Sequence, residues 1–308
     1  MALIKPVVKL ILREHQNFHF EGPALALGVP EIYATAAELE DWVPRWAGRS
    51  CPPVDTPGML STNVIGQRLG WVSARYFFQA LNLEPVTCMD IPGCEHTPDL
   101  VHDLNEPFPD DQINRYRLVV DPGTIEHVFD MRTCLSNVVR SLQLGGVVIH
   151  QVPVYMFNGG YYSLNPNLLN DFYAKNGFVD RKTYIVMWDR YHPYDGLHRC
   201  YEYTDTSMGA RHALADVDQC RRSPMMLFFA RKERTLPTIA IPIQFEGHYF
   251  TAGKPDRQST AKPSLEQRIS RLVTSGINHL PGTWAEPVRP RFERWKMLIK
   301  TRRQSFFL

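Results

Sequence analysis

The chain has 308 residues, of which 44% are hydrophobic and 21% are charged, and its formal net charge is +2. A chain of this length and composition can bury a full-sized core, which excludes a short motif carrier. No apolar run reaches the length of a membrane span, and the N-terminal stretch "MALIKPVVKLILREHQ" contains charges and lacks a small-residue cleavage site. We therefore expect a cytoplasmic protein with neither a signal peptide nor a transmembrane segment.

The near-neutral total conceals an uneven distribution of charge. Residues 235–308 carry 12 Lys/Arg and 5 Asp/Glu, a balance of +7, whereas the first 234 residues carry 22 and 27, a balance of −5. A basic end is typical of an acidic partner, although a solvated surface is the commoner explanation. The six cysteines include no C-x-x-C pair, which favours reduced thiols, and no metal site is expected.

Short apolar runs alternate with longer amphipathic stretches between about residues 22 and 231. This alternation predicts an α/β fold with a doubly wound, mostly parallel, Rossmann-like sheet of seven strands covered by helices. The last two strands are joined without an obvious long helix, which favours an antiparallel last strand. The predicted strands are Gly22–Gly28, Pro85–Asp90, Pro98–Leu104, Tyr116–Asp121, Val147–Val152, Phe178–Trp188 and Ser223–Lys232.

Four helices are predicted between these strands. Thr35 and Glu38 stand at capping-box spacing before the first, and Asn165 precedes Pro166 at the start of the fourth. The second lies in "GWVSARYFFQALNL", and the third carries apolar residues up to Leu142 and ends at Gly145–Gly146. We predict a domain over residues 1–234, with an insertion at about 47–84 and a substrate-side loop at about 189–222. A basic extension over 235–308 is predicted to hold an edge segment, "TIAIPIQF", and two helices, 264–276 and 291–303.

Three consecutive predicted strands end at or near an acid: Asp90, Asp103 and Asp121. The carboxyl ends of parallel strands line the ligand crevice of such a sheet, so these acids are placed to meet a ligand. The first turn has a single glycine, Gly28, which fails the dinucleotide pattern, and no phosphate-binding loop occurs. The pattern favours a nucleoside cofactor without phosphates. S-adenosylmethionine fits this description, because it needs a close backbone approach at one glycine and a carboxylate for its ribose.

Six segments strengthen this interpretation by their order along the chain. They are "GPALALG", "VTCMDI", "DLVHDLNEPFP", "LVVDPGTIEHVFD", "NVVRSLQLGGVVIHQVP" and "GYYSLNPNLLNDFYAKNGF". In this order they resemble class I S-adenosylmethionine-dependent methyltransferases, most closely the branch with "GTxEHV" after the fourth strand and "GG" before the fifth. The resemblance covers about residues 22–231, and its specific part runs from Thr87 to Phe178.

The resemblance implies an enzyme with S-adenosylmethionine as cofactor, and it implies roles for individual residues. Gly28 would lie under the methionine part, Asp90 would hold the ribose hydroxyls, and Asp103 would contact adenine. The first turn departs from the family by lacking its usual run of glycines. The full set of predicted cofactor-binding residues is Gly28, Asp90, Ile91, Asp103, Leu104, Asp121 and Gly123, with Leu104 packing on the base and Asp121 and Gly123 bordering the sulfonium.

His127 is the predicted catalytic residue, because it lies one short turn past Asp121 and histidine is a common proton acceptor in enzymes. It would take a proton from an attacking hydroxyl or amine; the alternative is that Glu126 and His127 merely begin the next helix, where an acid complements the helix dipole. His150, Tyr161 and Tyr162 are predicted to contact the substrate, with surface or packing roles as their alternatives.

The function predicted from these features is methylation of a small molecule or sugar, at oxygen or nitrogen. One alternative is a nucleic-acid methyltransferase, which the interleaved basic and aromatic residues of "RFERWKMLIKTRRQSFF" favour. The acidic balance of the first 234 residues and the lack of an N-P-P-Y-like motif argue against it. Another is a non-catalytic binding protein on the same fold, and the basic tail is also compatible with peripheral association with an acidic membrane.

Overall fold

A computed structural model describes residues 1–53, 58–93, 97–156, 159–189, 198–203, 222–243 and 305–307. Most of the predicted substrate-side loop and both helices predicted in the extension lie outside the described residues. The strands are β1 Ala2–Leu3, β2 Ala24–Leu27, β3 Glu31–Ile32, β4 Val86–Asp90, β5 Leu100–Val101, β6 Tyr116–Asp121, β7 Leu142–Pro153, β8 Phe178–Asp189, β9 Arg199–Glu202, β10 Arg222–Lys232 and β11 Ser305–Phe307.

The main sheet has nine strands in the order β11-β9-β8-β10-β7-β6-β2-β4-β5. The five strands from β7 to β5 pair in parallel, and β10 pairs antiparallel with both β7 and β8. All seven predicted strands are present, so the doubly wound sheet with an antiparallel last strand is confirmed. Two strands that the sequence did not predict, β9 and β11, extend it at the β8 edge. β1 and β3 form a separate parallel pair.

The helices follow their local signals closely where a capping residue is present. The side chains and backbone of Thr35 and Glu38 form both hydrogen bonds of the predicted capping box, and the Asn165 side chain accepts the backbone N–H of Asn167. The helices are α1 Lys5–Phe18, α2 Ala36–Trp42, α3 Val64–Leu69, α4 Ala74–Ala80, α5 Met131–Ser141 and α6 Pro166–Lys175. Of these, α1 and α3 were not predicted.

Two local predictions near the sheet were wrong. The helix expected to reach Gly145 ends at Ser141, because Leu142 pairs with Tyr116 of β6 and begins β7. The edge segment expected at 238–245 forms no strand over its described part, residues 238–243. There the Asn176 side chain accepts the N–H of Ala240 (2.8 Å) and donates to its carbonyl oxygen (3.0 Å), so this backbone is satisfied without a neighbouring strand.

Helix α1 is part of the core, since most of its apolar side chains are buried. Its buried Glu14 accepts hydrogen bonds from the Tyr184 hydroxyl (2.7 Å) and the Lys182 ammonium (2.8 Å), which tie the helix to β8. The charge of Glu14 in the N-terminal stretch is therefore paired within the fold. None of the helices in the described ranges is long and apolar enough to cross a membrane. Residues 235–243 belong to the same compact unit as the sheet, and the boundary predicted at 234/235 stays a prediction.

Candidate functional site

The register of the parallel strands brings the predicted cofactor residues to one edge of the sheet. Leu27 of β2 pairs with Met89 of β4, and Asp90 pairs with Val101 at the end of β5. On the other side of β2, Ala26 pairs with Val120, which precedes Asp121. Gly28, Asp90 and Asp121 thus follow or end three adjacent strands at their carboxyl ends, where such sheets bind ligands.

Gly28 adopts the backbone conformation that the first turn requires. Its φ is +98°, a value that favours glycine, and its N–H donates to the Met89 carbonyl oxygen at 2.5 Å. A Cβ at this position would overlap the Met1 side chain, which lies against the glycine. The Thr124 hydroxyl lies within hydrogen-bond distance of both the Met1 sulfur and the Leu27 carbonyl oxygen. The space above Gly28 therefore accepts an unbranched thioether.

The acids after β4 and β5 differ in their surroundings. Asp90 is half-buried, and one carboxylate oxygen accepts the Ile91 N–H at 2.8 Å; its other oxygen has no hydrogen bond among the described residues. Asp103 is exposed, and its hydrogen bonds from the Asn105 backbone and side chain lower its pKa. Ile91 is exposed beside Asp90, whereas Leu104 is buried. Leu104 thus faces the protein interior, while Asp90, Ile91 and Asp103 remain available to a nucleoside.

Asp121 is fully buried and builds the turn that follows β6. One oxygen accepts the backbone N–H groups of Gly123 (3.2 Å), Thr124 (2.7 Å) and Ile125 (3.3 Å). The other lies 2.7 Å from His150 Nδ1. Gly123 has φ +97°, which makes glycine the favoured residue in this turn. Asp121 therefore shapes the edge of the crevice through the backbone and does not present a free carboxylate to it.

His150 lies in the interior, on the side of the sheet that α6 covers. It is fully buried, and its Nε2 lies 2.6 Å from the Tyr173 hydroxyl while its Nδ1 meets Asp121. Burial raises the pKa of Tyr173 well above its usual value. Both ring nitrogens of His150 have protein partners, which makes it a positioning residue for Asp121. The predicted contact between His150 and substrate would require this network to open.

The other predicted residues lie at the outer rim. His127 is exposed, and its side chain has no hydrogen bond among the described residues. Tyr161 is 70% exposed and its ring meets Phe129, 72% exposed, edge-to-face at 5.9 Å between centroids. The Tyr162 hydroxyl donates to the Phe129 carbonyl oxygen at 2.8 Å. The rim is thus aromatic, and both tyrosines lie near the turn that contains His127.

The buried acid in this turn is Glu126, for which the sequence pattern predicted only a place at the start of a helix. The helix begins only at Met131, and Glu126 lies in a 3₁₀ turn, Ile125–His127. It is 5% exposed, and burial, followed by the nearby Asp121, raises its pKa to about 8. Its Oε2 atom has no hydrogen-bond partner among the residues that the structure describes. A second acid five residues after a strand-end acid was the available sequence signal.

The N-terminal residues approach the same edge of the sheet. Gln151, at the end of β7, donates from Nε2 to the Ala2 carbonyl oxygen at 2.7 Å, while its Oε1 is buried without a partner. The Glu31 N–H donates to the Met1 carbonyl oxygen at 3.1 Å. β1 and β3 therefore hold Met1 beside Gly28 and Thr124. Nothing in the sequence pattern predicted this arrangement.

The residues present fit the nucleoside end of S-adenosylmethionine, since Asp90 has one acceptor oxygen without a hydrogen bond among the described residues and Ile91 offers an exposed apolar surface. At the methionine end, the Met1 side chain, which is 46% exposed, lies against Gly28 in this structure. Among the described residues, no group of three or more His, Cys, Asp or Glu is arranged to hold a metal ion.

No protein-family model matches the chain, and no curated protein matches it. Similar solved structures include a methyltransferase from Thermotoga maritima described as a possible histamine N-methyltransferase, with 14% identity, coverage of 73% of this chain and 91% of that one, and a TM-score of 0.34. A methyltransferase from Archaeoglobus fulgidus has 12% identity, coverage of 74% and 94%, and a TM-score of 0.37. Haemonchus contortus phosphoethanolamine N-methyltransferase 2 has 15% identity, coverage of 73% of this chain and 52% of that one, and a TM-score of 0.33. Similarity at this level is no basis for assigning an activity.

Proposed function

We propose that the chain is an S-adenosylmethionine-dependent methyltransferase that acts on a small molecule or a sugar. The observation that carries the proposal is the convergence at one sheet edge of Gly28, with its positive φ, and Asp90, one of whose carboxylate oxygens has no hydrogen bond within the described part of the chain. Asp90 would accept the ribose hydroxyls, and Asp103 would meet the adenine. A single glycine suits a ligand without a pyrophosphate, because no row of backbone amides is needed.

When bound, S-adenosylmethionine supplies an activated methyl group, and the chain's own residues place the acceptor against it. The turn that Asp121 and Gly123 form would border the reacting groups, and the aromatic rim of Phe129 and Tyr161 would exclude water. Placement in a water-poor site can provide much of the rate of such a displacement. His127, the predicted proton acceptor, is exposed on this turn, and Glu126 is buried beside it.

Isothermal titration of the full chain with S-adenosylmethionine tests the cofactor part of the proposal. We expect the wild-type protein to bind and Asp90→Ala to lose about tenfold or more in affinity, because a charge-assisted hydrogen bond to the ribose is lost. Glu233→Gln is the control, since Glu233 is exposed and follows the end of β10, which lies antiparallel to β7 and therefore away from the carboxyl ends of the parallel strands. Failure of the wild type to bind would refute the proposal, and an unchanged affinity of Asp90→Ala would refute its placement.

Features outside the described residues bear on the alternatives. The basic tail that favours a nucleic-acid substrate or a membrane surface lies mostly beyond residue 243. No feature of the described edge, with Asp90, Asp103 and Glu126, favours a polyanionic substrate, because acids repel phosphates. The small-molecule acceptor is therefore the preferred proposal, and cytoplasmic location stays a prediction.

A further inference from the structure

Two residues that flank Gly123 each carry a buried oxygen atom without a hydrogen-bond donor among the described residues. The atoms are Oε2 of Glu126 and Oε1 of Gln151, and the two residues are 5% and 3% exposed. The residues flank this glycine because a Cβ placed on it would lie 3.1 Å from the other carboxylate oxygen of Glu126 and 3.6 Å from the backbone carbonyl oxygen of Gln151. Buried acceptors are normally paired, because an unpaired one costs free energy. Two such residues beside one glycine favour a ligand that supplies donors.

The charge of the site indicates what kind of donor it requires. Glu126 forms no ion pair with a Lys or Arg among the described residues, and its strongest charged neighbour is the buried carboxylate of Asp121. Both carboxylates disfavour further negative charge. The amino group of Met1 offsets this charge only in part, because its effect on the Glu126 pKa is smaller than that of Asp121. An alcohol would supply one donor and no charge, whereas an ammonium supplies up to three donors and a positive charge.

Glu126 lies between the cofactor edge and the aromatic rim. On one side is Gly123, and on the other the loop after β7, whose Tyr161 N–H donates to the Glu126 carbonyl oxygen at 2.8 Å. A Cβ on Gly160 would lie 3.0 Å from Glu126 Cγ, so this loop closes directly over the side chain. The exposed rings of Phe129 and Tyr161 then form the outer wall, and aromatic faces attract cations.

We propose that Glu126 and Gln151 form the acceptor subsite of the methyltransferase and that the acceptor is a primary or secondary amine bound as its ammonium. This inference rests on the proposed function and deepens it. Glu126 touches the substrate nitrogen and is the catalytic proton acceptor, in place of the exposed His127. Gln151 Oε1 accepts a second N–H and orients the nitrogen.

The reaction balances with these groups alone and the bound methyl donor. The ammonium transfers one proton to the Glu126 carboxylate and becomes a neutral amine. Its lone pair forms the nitrogen–carbon bond as the carbon–sulfur bond breaks, and the electron pair of that bond stays on sulfur. The product is the N-methylated ammonium with a neutral thioether. A carboxyl with a raised pKa is better matched to taking this proton than an ordinary glutamate.

Binding of benzylamine, with benzyl alcohol as its uncharged analogue, tests the subsite without any cofactor. Titration above the Glu126 pKa of about 8, where its carboxylate is charged, should show that wild-type protein binds benzylamine about tenfold or more tightly than benzyl alcohol. Glu126→Gln keeps the side-chain size and should remove that preference, while the exposed Glu233→Gln should retain it. Gln151→Met lacks the acceptor oxygen and should also weaken benzylamine binding. It provides the test if Glu126→Gln does not fold.

The outcomes separate this inference from the proposed function. Equal binding of the two probes by wild type, or an undiminished preference in folded Glu126→Gln or Gln151→Met, overturns the amine subsite. It is also overturned if Glu126→Gln loses S-adenosylmethionine binding but keeps benzylamine binding, because the oxygens then serve the cofactor's own ammonium. If wild type prefers benzylamine but does not bind S-adenosylmethionine, the proposed function fails and the subsite remains as an amine-binding site.

Discussion

Glu126 is a buried acid whose pKa is raised both by burial and by a neighbouring carboxylate. Its carboxyl is enclosed by Gly123 and by the loop that contains Gly160, and its pKa of about 8 results from burial first and from Asp121 second. The amino group of Met1 acts in the opposite direction. An acid kept in this state is common at functional sites and costs stability at neutral pH.

The pH dependence of stability follows from the raised pKa. In the unfolded chain Glu126 loses its proton near its ordinary pKa of 4.5, whereas in the folded state it keeps the proton to about pH 8. Its contribution to stability is therefore fully present below pH 4.5 and is lost as the pH rises toward 8. The wild type should lose about 2 kcal/mol between pH 5 and pH 7 relative to Glu126→Gln.

Denaturant unfolding of the two proteins at both pH values measures this difference. Glu233→Gln provides the control, because its exposed carboxyl should give the same pH dependence as the wild type. A constant stability difference between Glu126→Gln and wild type across this range would show that the Glu126 carboxyl titrates normally.

Residue roles at the site were predictable from sequence to different degrees. The placement of Asp90 and Asp121 at one edge follows from strand ends alone, since parallel strands share an orientation. The burial of His150 could not be predicted from the strand ends, because its partners Asp121 and Tyr173 lie on β6 and α6, 29 and 23 residues away along the chain. Glu126 was missed because helix α5 begins five residues later than its position suggested.

At the scale of elements, the turns after β2 and β6 determine the site more than the strands do. Gly28 and Gly123 both have a positive φ, and each leaves a space that a side chain would fill. Local signals located these turns well. They located the end of α5 poorly, because pairing of Leu142 with β6 is a long-range interaction that outweighs the apolar helical spacing.

A pair of glycine variants separates backbone strain from loss of the ligand space. Gly28→Ala and Gly48→Ala both place an alanine at positive φ, +98° and +69°, and this strain should cost each about 1–2 kcal/mol. A Cβ at Gly48 meets no atom within 4 Å, whereas one at Gly28 overlaps the Met1 side chain and lies 3.3 Å from the Thr124 hydroxyl, so Gly28→Ala should lose the more stability of the two. Only Gly28→Ala should therefore lose affinity for S-adenosylmethionine.

Thermal unfolding and isothermal titration of both variants check this expectation. Equal losses of affinity in Gly28→Ala and Gly48→Ala would attribute the effect to strain, and retained affinity in Gly28→Ala would place the cofactor elsewhere.

At the scale of the whole molecule, the sequence predicted the sheet but not what surrounds it. Alternating apolar runs and strand-end acids were enough for the seven strands and for the antiparallel last one. The N-terminal helix α1, the pairing of β1 with β3 and the added strands β9 and β11 depend on contacts between distant segments. Those contacts decide that Met1 and Ala2 lie at the crevice, a feature with no local signal.

Hydrogen exchange of the full chain, measured with and without saturating S-adenosylmethionine, reports both whether the cofactor binds and where it binds. We expect slower exchange at the carboxyl ends of β2, β4 and β6, in segments containing Gly28, Ile91 and Gly123. Unchanged exchange throughout, or protection confined to segments away from this edge, would contradict it.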